Sequence, residues 1–299
     1  MNHEIKLLDV SLRDGGHRSN FHFSDNQLKT ILEFLDCAAV DYIEIGYRNG
    51  ALNPIPDIGR AGLCDNQYIQ FCREHVSQTQ IAIMAHPENL IIGDLQQLKD
   101  LGVDLLRLCI SKGKHELTFP LLEMAHKIGL KTSLNFIHIS YYAIEELEAV
   151  VSNSLNYRPD IIYFADSNGS MLPPRVYDLF SNFCQKYAAA FGFHAHDNLG
   201  LAQTNSIAAM NAGAHYVDAS LAGMGKGTGN LRIEFFASYL EAIKVGQYHL
   251  SQLLHAANYV RKELQIGQEP LTMDEFTRGI ADLSTADLKR YKAKQINQK

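Results

Sequence analysis

Closely spaced cysteine pairs are missing from this chain. Its five cysteines, Cys37, Cys64, Cys72, Cys109 and Cys184, are odd in number and never stand in C-x-x-C spacing. That argues against a zinc or disulfide framework and leaves reduced, buried thiols as the expectation. Long apolar runs are also missing: no stretch reaches the ~18 residues that a membrane span needs, and no charged-then-apolar leader opens the chain. A cytoplasmic protein is expected on that ground. Nor is there an excess of positive charge. Twenty-seven Lys and Arg stand against 33 Asp and Glu, a net charge of −6, so no basic field exists to release counterions from nucleic acid. Neither nucleic acid nor a membrane is expected as a partner. Low-complexity segments are absent, and no strong linker divides the chain before ~residue 245.

What the chain does have is enough apolar material for one large core. Of its 299 residues, 46% are hydrophobic and 20% charged. Eight short apolar runs, at 6–12, 42–46, 80–85, 105–110, 131–137, 161–165, 190–194 and 216–221, read as strands. Amphipathic stretches such as 25–37 and 120–128 lie between them. Three joints before strands carry Gly102, Gly129 and Gly213 where a helix C-cap takes the left-handed conformation. Eight strands with crossover helices over ~240 residues fit a closed parallel (β/α)8 TIM barrel better than an open doubly wound sheet. The expected organisation is a catalytic barrel over 1–245 and a helical C-terminal extension over 246–299. Within the extension, 250–264 reads as one helix, 273–291 as one or two, and 292–299 as a frayed end.

In such a barrel the reactive side chains gather at the C-terminal ends of the strands. The first run ends in Ser11-Leu12-Arg13-Asp14-Gly15-Gly16-His17 and the seventh in Phe193-His194-Ala195-His196-Asp197-Asn198. Residues two apart on a strand share a side, so His194 and His196 can face one ion, with Asp14 as a carboxylate ligand. Spacing alone equally allows two hydrogen-bonded core histidines and an ordinary loop acid. After the eighth run comes Gly223-Met224-Gly225-Lys226-Gly227-Thr228-Gly229-Asn230. Its glycines let backbone amides approach an anionic ligand ahead of a helix N-terminus, although a plain flexible turn has the same composition. Asn230 can offer a carbonyl oxygen to the metal or cap the helix.

Together these segments resemble the DRE-TIM metallolyase superfamily, which includes hydroxymethylglutaryl-CoA lyases and isopropylmalate and homocitrate synthases. The resemblance spans roughly residues 5–245 and includes the turn Asp166-Ser167-Asn168-Gly169. The Asp14-Gly15-Gly16-His17 form and the short glycine loop are most similar to the 4-hydroxy-2-oxovalerate aldolases. The resemblance implies a class II aldolase or lyase that cleaves or forms a C–C bond of a small 4-hydroxy-2-oxo acid through a metal-bound pyruvate enolate. It implies Asp14, His194, His196 and Asn230 as ligands of a divalent cation, Mn²⁺ first, with Mg²⁺, Co²⁺ or Zn²⁺ as alternatives. Arg13 would stabilise the enolate and His17 would act as base. Arg13 and Asp14 can meet only if the strand has ended before them, which Gly15 and Gly16 make plausible.

Other parts of the site depart from that pattern. Arg48, in Gly46-Tyr47-Arg48-Asn49-Gly50, is a candidate carboxylate clamp or else a surface arginine; His138, Ser140, Gly225 and Gly227 are further candidates for contact with substrate. The stretch 279–284 lacks the tyrosine found in the aldolases, so a dehydrogenase partner is unsupported, while the amphipathic tail offers a surface for homo-oligomers. A Schiff-base aldolase fits poorly, because Lys131 begins its strand at the wrong end and Lys112 and Lys226 lie on loops. Two alternatives stand beside the aldolase: an acetyl-CoA-dependent Claisen-type synthase acting on a 2-oxo acid, whose relatives usually carry a larger C-terminal region, and a catalytically inactive barrel serving as a binding partner.

Overall fold

The structure, a computed structural model, describes residues 5–296. Its strands are β1 (Lys6–Asp9), β2 (Tyr42–Tyr47), β3 (Gln80–Ala85), β4 (Leu105–Ile110), β5 (Lys131–Phe136), β6 (Ile161–Asp166), β7 (Ala190–Ala195) and β8 (Tyr216–Ala219). All neighbours are parallel, and pairing of Lys6 with Tyr216 through Asp9 with Ala219 closes β8 onto β1. The helices that return the chain are α1 (Asp25–Cys37), α2 (Asn66–Glu74), α3 (Ile92–Asp100), α4 (Thr118–Lys127), α5 (Ile144–Ser154), α6 (Pro173–Lys186), α7 (Ala202–Asn211) and α8 (Ile233–Ala242). The expected barrel is the observed one. The first strand is shorter than its apolar run, stopping at Asp9. Gly102, Gly129 and Gly213 all have positive φ at their helix ends, as their positions predicted.

The two-residue period of the strands builds two cores. Outward residues such as Ile43, Ile83, Leu106, Phe164 and Phe193 pack under the helices. Leu8, Val10, Tyr42, Ala82, Leu105, Ile161 and Tyr163 form a separate cluster inside the barrel, which floors the site. Gly192 faces the same interior, where a Cβ would lie 2.5 Å from the Tyr163 ring; the bare backbone makes room for that ring.

The extension is not a separate body. Helix α9 (Leu250–Tyr259) continues into a π-helical turn at Val260–Leu264, matching the single element expected at 250–264. Leu253, Ala256, Ala257 and Val260 are fully buried in the outer core, and Tyr248 bonds Asp41 through its hydroxyl at 2.6 Å. Helix α10 (Met273–Ala281) then brings Arg278 to the barrel mouth, and α11 (Thr285–Ile296) follows it. The end expected to fray at 292–299 is therefore helical through Ile296, and its last three residues lie outside those described. The cysteines are unpaired as expected, though Cys37 is exposed and Cys184 only partly buried.

Candidate active site

The strand ends converge on a cavity of about 530 Å³ at the mouth, lined among others by Arg13, Asp14, His17, Tyr47, His138 and His194. Because β1 stops at Asp9, the chain turns before Arg13, and the amides of Asp14 and Gly15 both donate to the Val10 carbonyl. The turn places Arg13 and Asp14 side by side, with Arg13 Nη1 2.7 Å from Asp14 Oδ1. Burial alone would raise the Asp14 pKa. The guanidinium of Arg13 instead holds it well below the usual carboxylate range.

Asp14, His194 and His196 are all buried, and one ligand atom from each lies within 4.8 Å of the others. His194 Nδ1 is 3.0 Å from Asp218 Oδ2, and His196 Nδ1 is 3.2 Å from the Lys226 carbonyl. Both partners are acceptors, so both Nδ1 atoms carry the proton and both Nε2 atoms present a lone pair. Those two Nε2 atoms stand 3.4 Å apart, and His196 Nε2 stands 3.8 Å from Asp14 Oδ2. Two bare lone pairs aimed at each other beside a carboxylate repel, and a divalent cation between them removes the repulsion. Burial pushes the His196 pKa down to about 3 against the pull of Asp14, which keeps the ring unprotonated. The donor set fits a divalent metal.

Asn230 completes one side of this cluster. It does not cap α8, whose N-cap is Arg232. Its Nδ2 donates to Asp14 Oδ2 at 2.9 Å, and its Oδ1 is buried with no hydrogen-bond partner among the described residues. A Cβ on Gly225 would lie 2.5 Å from that amide, so Gly225 is small in order to admit Asn230. The carbonyls of Gly225 and Gly227 are turned to Arg18, and neither glycine lines the mouth cavity. The expected contact of these two with substrate is thus corrected to a packing role. The only member of that loop among the cavity-lining residues is Lys226.

A ring of charge, whose members Glu44 and Asp218 sequence reasoning missed, supports the cluster. Arg13 Nε bonds Glu44 at 2.6 Å, Arg107 Nη1 lies 3.1 Å from the same carboxylate, and Arg107 Nη2 bonds Asp218 at 2.7 Å. The path runs from Asp14 through Arg13, Glu44, Arg107 and Asp218 to His194, and so returns to the cluster. Arg107 also stacks over the Tyr163 ring, 4.3 Å from its centroid. The available signal was a charged residue at an inward position of an otherwise apolar strand, as at Glu44 and Asp218.

His17 lines the cavity, held by edge contacts with the Phe21 and Tyr47 rings at 4.9 and 6.3 Å. Burial lowers its pKa to about 4, so it is neutral near pH 7. Arg48, by contrast, faces away from the cavity. Its guanidinium bonds Asp94 at 2.7 and 2.9 Å, the Cys64 carbonyl at 2.8 Å, Asn66 at 3.0 Å and Gln97 at 2.9 Å. A buried arginine with its donors so committed is a brace between helices, which corrects the expectation of a substrate clamp. His138 does line the cavity, at the end of β5, whereas Ser140 is turned to Asp282 at 2.8 Å. From the extension come Arg278, Ser284, Thr285 and Ala286 as further lining residues, none of them expected from sequence.

The HMGL-like family model matches residues 113–260. A 4-hydroxy-2-oxovalerate aldolase of Geobacillus genomosp. 3 is 30% identical over 298 residues, covering 99% of this chain and 87% of the relative. An oxaloacetate decarboxylase of Mycobacterium tuberculosis is 29% identical over 235 residues, covering 79% and 69%. Among solved structures, the N-terminal domain of a Bacteroides vulgatus protein assigned as an aldolase superposes with a TM-score of 0.84 at 25% identity, covering 96% of each chain. The HMG-CoA lyase of Bacillus subtilis shares the fold, with a TM-score of 0.74 at 17% identity over 92% and 97%.

Proposed function

Since the chain belongs to the HMGL-like family, we propose that it is a divalent-metal-dependent class II aldolase acting on a small 4-hydroxy-2-oxo acid, with pyruvate as the enolate partner. The observation that carries the reading is the convergence of the Nε2 atoms of His194 and His196 with Asp14 Oδ2, beside Arg13. A bound divalent cation supplies Lewis-acid polarisation of the 2-oxo acid's carbonyl. Asp14, His194 and His196 would hold it, with the unpartnered Oδ1 of Asn230 as a fourth candidate donor. Mixed carboxylate and imidazole donors suit Mn²⁺, the ion to be tried first.

The chain's own residues would handle the charge and the proton. Arg13 is held on two sides, by Glu44 through Nε and by Asp14 through Nη1, which fixes the guanidinium at the cavity wall. There it would meet negative charge developing on the substrate oxygen, and a preorganised donor of this kind lowers the barrier by ~3 to 4 kcal/mol. His17, neutral by burial, has a lone pair to take the proton of the C4 hydroxyl as the C3–C4 bond breaks. The reverse direction is an aldol addition.

Pyruvate released from 4-hydroxy-2-oxo acids by the purified protein with Mn²⁺, and abolished by EDTA or by His194→Ala, tests the reading. No release together with no metal-dependent exchange of pyruvate methyl protons sinks it. Oxaloacetate belongs in the same assay, because its decarboxylation, named for the Mycobacterium tuberculosis relative, leaves the same pyruvate enolate. The five unpaired cysteines support a reducing compartment such as the cytoplasm. Met273, Phe276 and Ile280, exposed on α10, support self-association through that face.

A further inference from the structure

His138 follows β5 by two residues, and in the closed strand order β5 stands opposite β1, which leads to His17. The two imidazoles therefore enter the mouth from opposite sides, and they are held differently. Among the described residues, none hydrogen-bonds the ring of His17. His138 is fixed at its backbone, at Nδ1 and on one ring face. Its backbone is left-handed at φ 51° and ψ 50°, its N–H donates to Ser167 Oγ at 2.9 Å, and its ring stacks on Tyr141 at 5.3 Å and 9°. A non-glycine residue strained in this way at a cavity wall persists because its surroundings hold it.

The ring is also oriented chemically. Asp282, in the extension, accepts at Oδ1 from Ser140 Oγ at 2.8 Å, Ser170 Oγ at 2.6 Å and Asn168 Nδ2 at 2.8 Å. A carboxylate can only accept, so it selects the NH₂ end of Asn168 and turns Asn168 Oδ1 toward His138 Nδ1, 3.2 Å away. An amide oxygen also only accepts. His138 Nδ1 therefore carries the proton, and Nε2, which has no protein partner among the described residues, keeps its lone pair at the cavity. Such a base, oriented by a third group, is the arrangement that proton-transfer catalysis requires.

From this geometry, and resting on the aldolase reading above, we propose that His138 is a second proton-transferring residue, serving the substrate's C3 carbon on the side of the cavity away from His17, and that Asn168 and Asp282 are positioning residues that set its tautomer. In the aldol direction His138 Nε2 takes a proton from the pyruvate methyl group. The C–H electron pair becomes the C2–C3 double bond, and the carbonyl pair moves onto the oxygen facing Arg13. In the cleavage direction the C4 hydroxyl proton goes to His17, which passes it to water, while His138, neutral at rest, takes a proton from water at Nε2 and delivers it to C3. The two histidines divide the two protons of one reaction.

Two readouts test the proposal. The first is nitrogen NMR of histidine-labelled protein, with the His138 signals assigned through His138→Asn. The wild type should show the Nδ1–H tautomer, and Asn168→Leu should lose that preference. Asp282→Ala also frees the extension from Ser140 and Ser170, so Asn168→Leu, which leaves those bonds in place, is the deciding variant; Asp282→Asn, which keeps an acceptor oxygen, should restore the tautomer.

The second readout is the ratio of pyruvate methyl-proton exchange to C–C cleavage. His138→Asn should lower exchange by about a hundredfold, within the range for general acid–base catalysis, and lower cleavage much less, since water can protonate the enolate. His17→Asn should move the ratio the other way. A merely structural role would lower both rates together, and that result, or an unchanged tautomer in Asn168→Leu, overturns the proposal. If the wild type neither exchanges nor cleaves, the aldolase reading and the catalytic role of His138 fall together, while the NMR measurement still decides the relay.

Discussion

His194 and Asp218 are register partners on β7 and β8, and His194 Nδ1 meets Asp218 Oδ2 at 3.0 Å. The contact fixes the imidazole with Nε2 toward Asp14 and His196, so a residue that touches no ion decides whether the cluster can hold one. Burial would raise the Asp218 pKa, yet Arg107 and His194 hold it low, and the carboxylate stays charged. Asp218→Asn should lower metal affinity ~10- to 100-fold, the usual cost of removing such a partner. Calorimetric titration with Mn²⁺ reads this directly; wild-type affinity in the variant would remove Asp218 from the argument.

Arg13→Lys keeps a positive charge but cannot bond Glu44 and Asp14 while also facing the substrate. Its kcat should fall ~10²- to 10³-fold, the scale of one lost oxyanion donor, with metal binding largely kept. Steady-state kinetics beside a metal titration separate the two effects. A fall in metal affinity without a fall in kcat at saturating metal would reassign Arg13 to holding Asp14 in place.

Arg48→Ala should act on stability, not on substrate. It leaves Asp94 buried, 2% exposed, without its cation, a loss of ~3 to 5 kcal/mol. Denaturant unfolding should show that drop, while KM of the folded fraction changes little. A large rise in KM at unchanged stability would return Arg48 to the substrate.

His86, stacked on Tyr47 at 5.6 Å, is pushed down by burial from 6.5 to about 4. Between those two values the unfolded chain binds a proton that the folded chain refuses. Its contribution is thus intact above about 6.5 and is lost as pH falls toward 4, roughly 3 kcal/mol in all. His86→Phe, which keeps the stacking and cannot take the proton, should flatten the fall in urea midpoint across that window. A variant whose midpoint falls as steeply as the wild type's would show that His86 is not the group involved.

The barrel was readable because eight short apolar runs alternate with helical spacing, and that alternation depends on the chain alone. Asp14, His194 and His196 were readable because strand ends share one mouth. Glu44, Arg107 and Asp218 lie on three different strands, and only closure of the sheet brings their inward faces together. Arg48 was misread because a strand-end arginine looks the same whether it turns to the mouth or to Asp94. Arg278 and Asp282 were out of reach for another reason: amphipathic spacing shows that a tail is helical, not where it docks.

The bonds of Asp282 to Ser140, Asn168 and Ser170 span 112 to 142 residues of sequence, and β1 pairs with a strand that begins at Tyr216. A chain emerging from the ribosome can therefore complete its sheet well before it can seat the ring of His138. Contacts so far apart are slow to form, because much of the chain's freedom must be given up before they return anything. Shape comes first during synthesis, and the seating of that ring waits for the segment that carries Asp282.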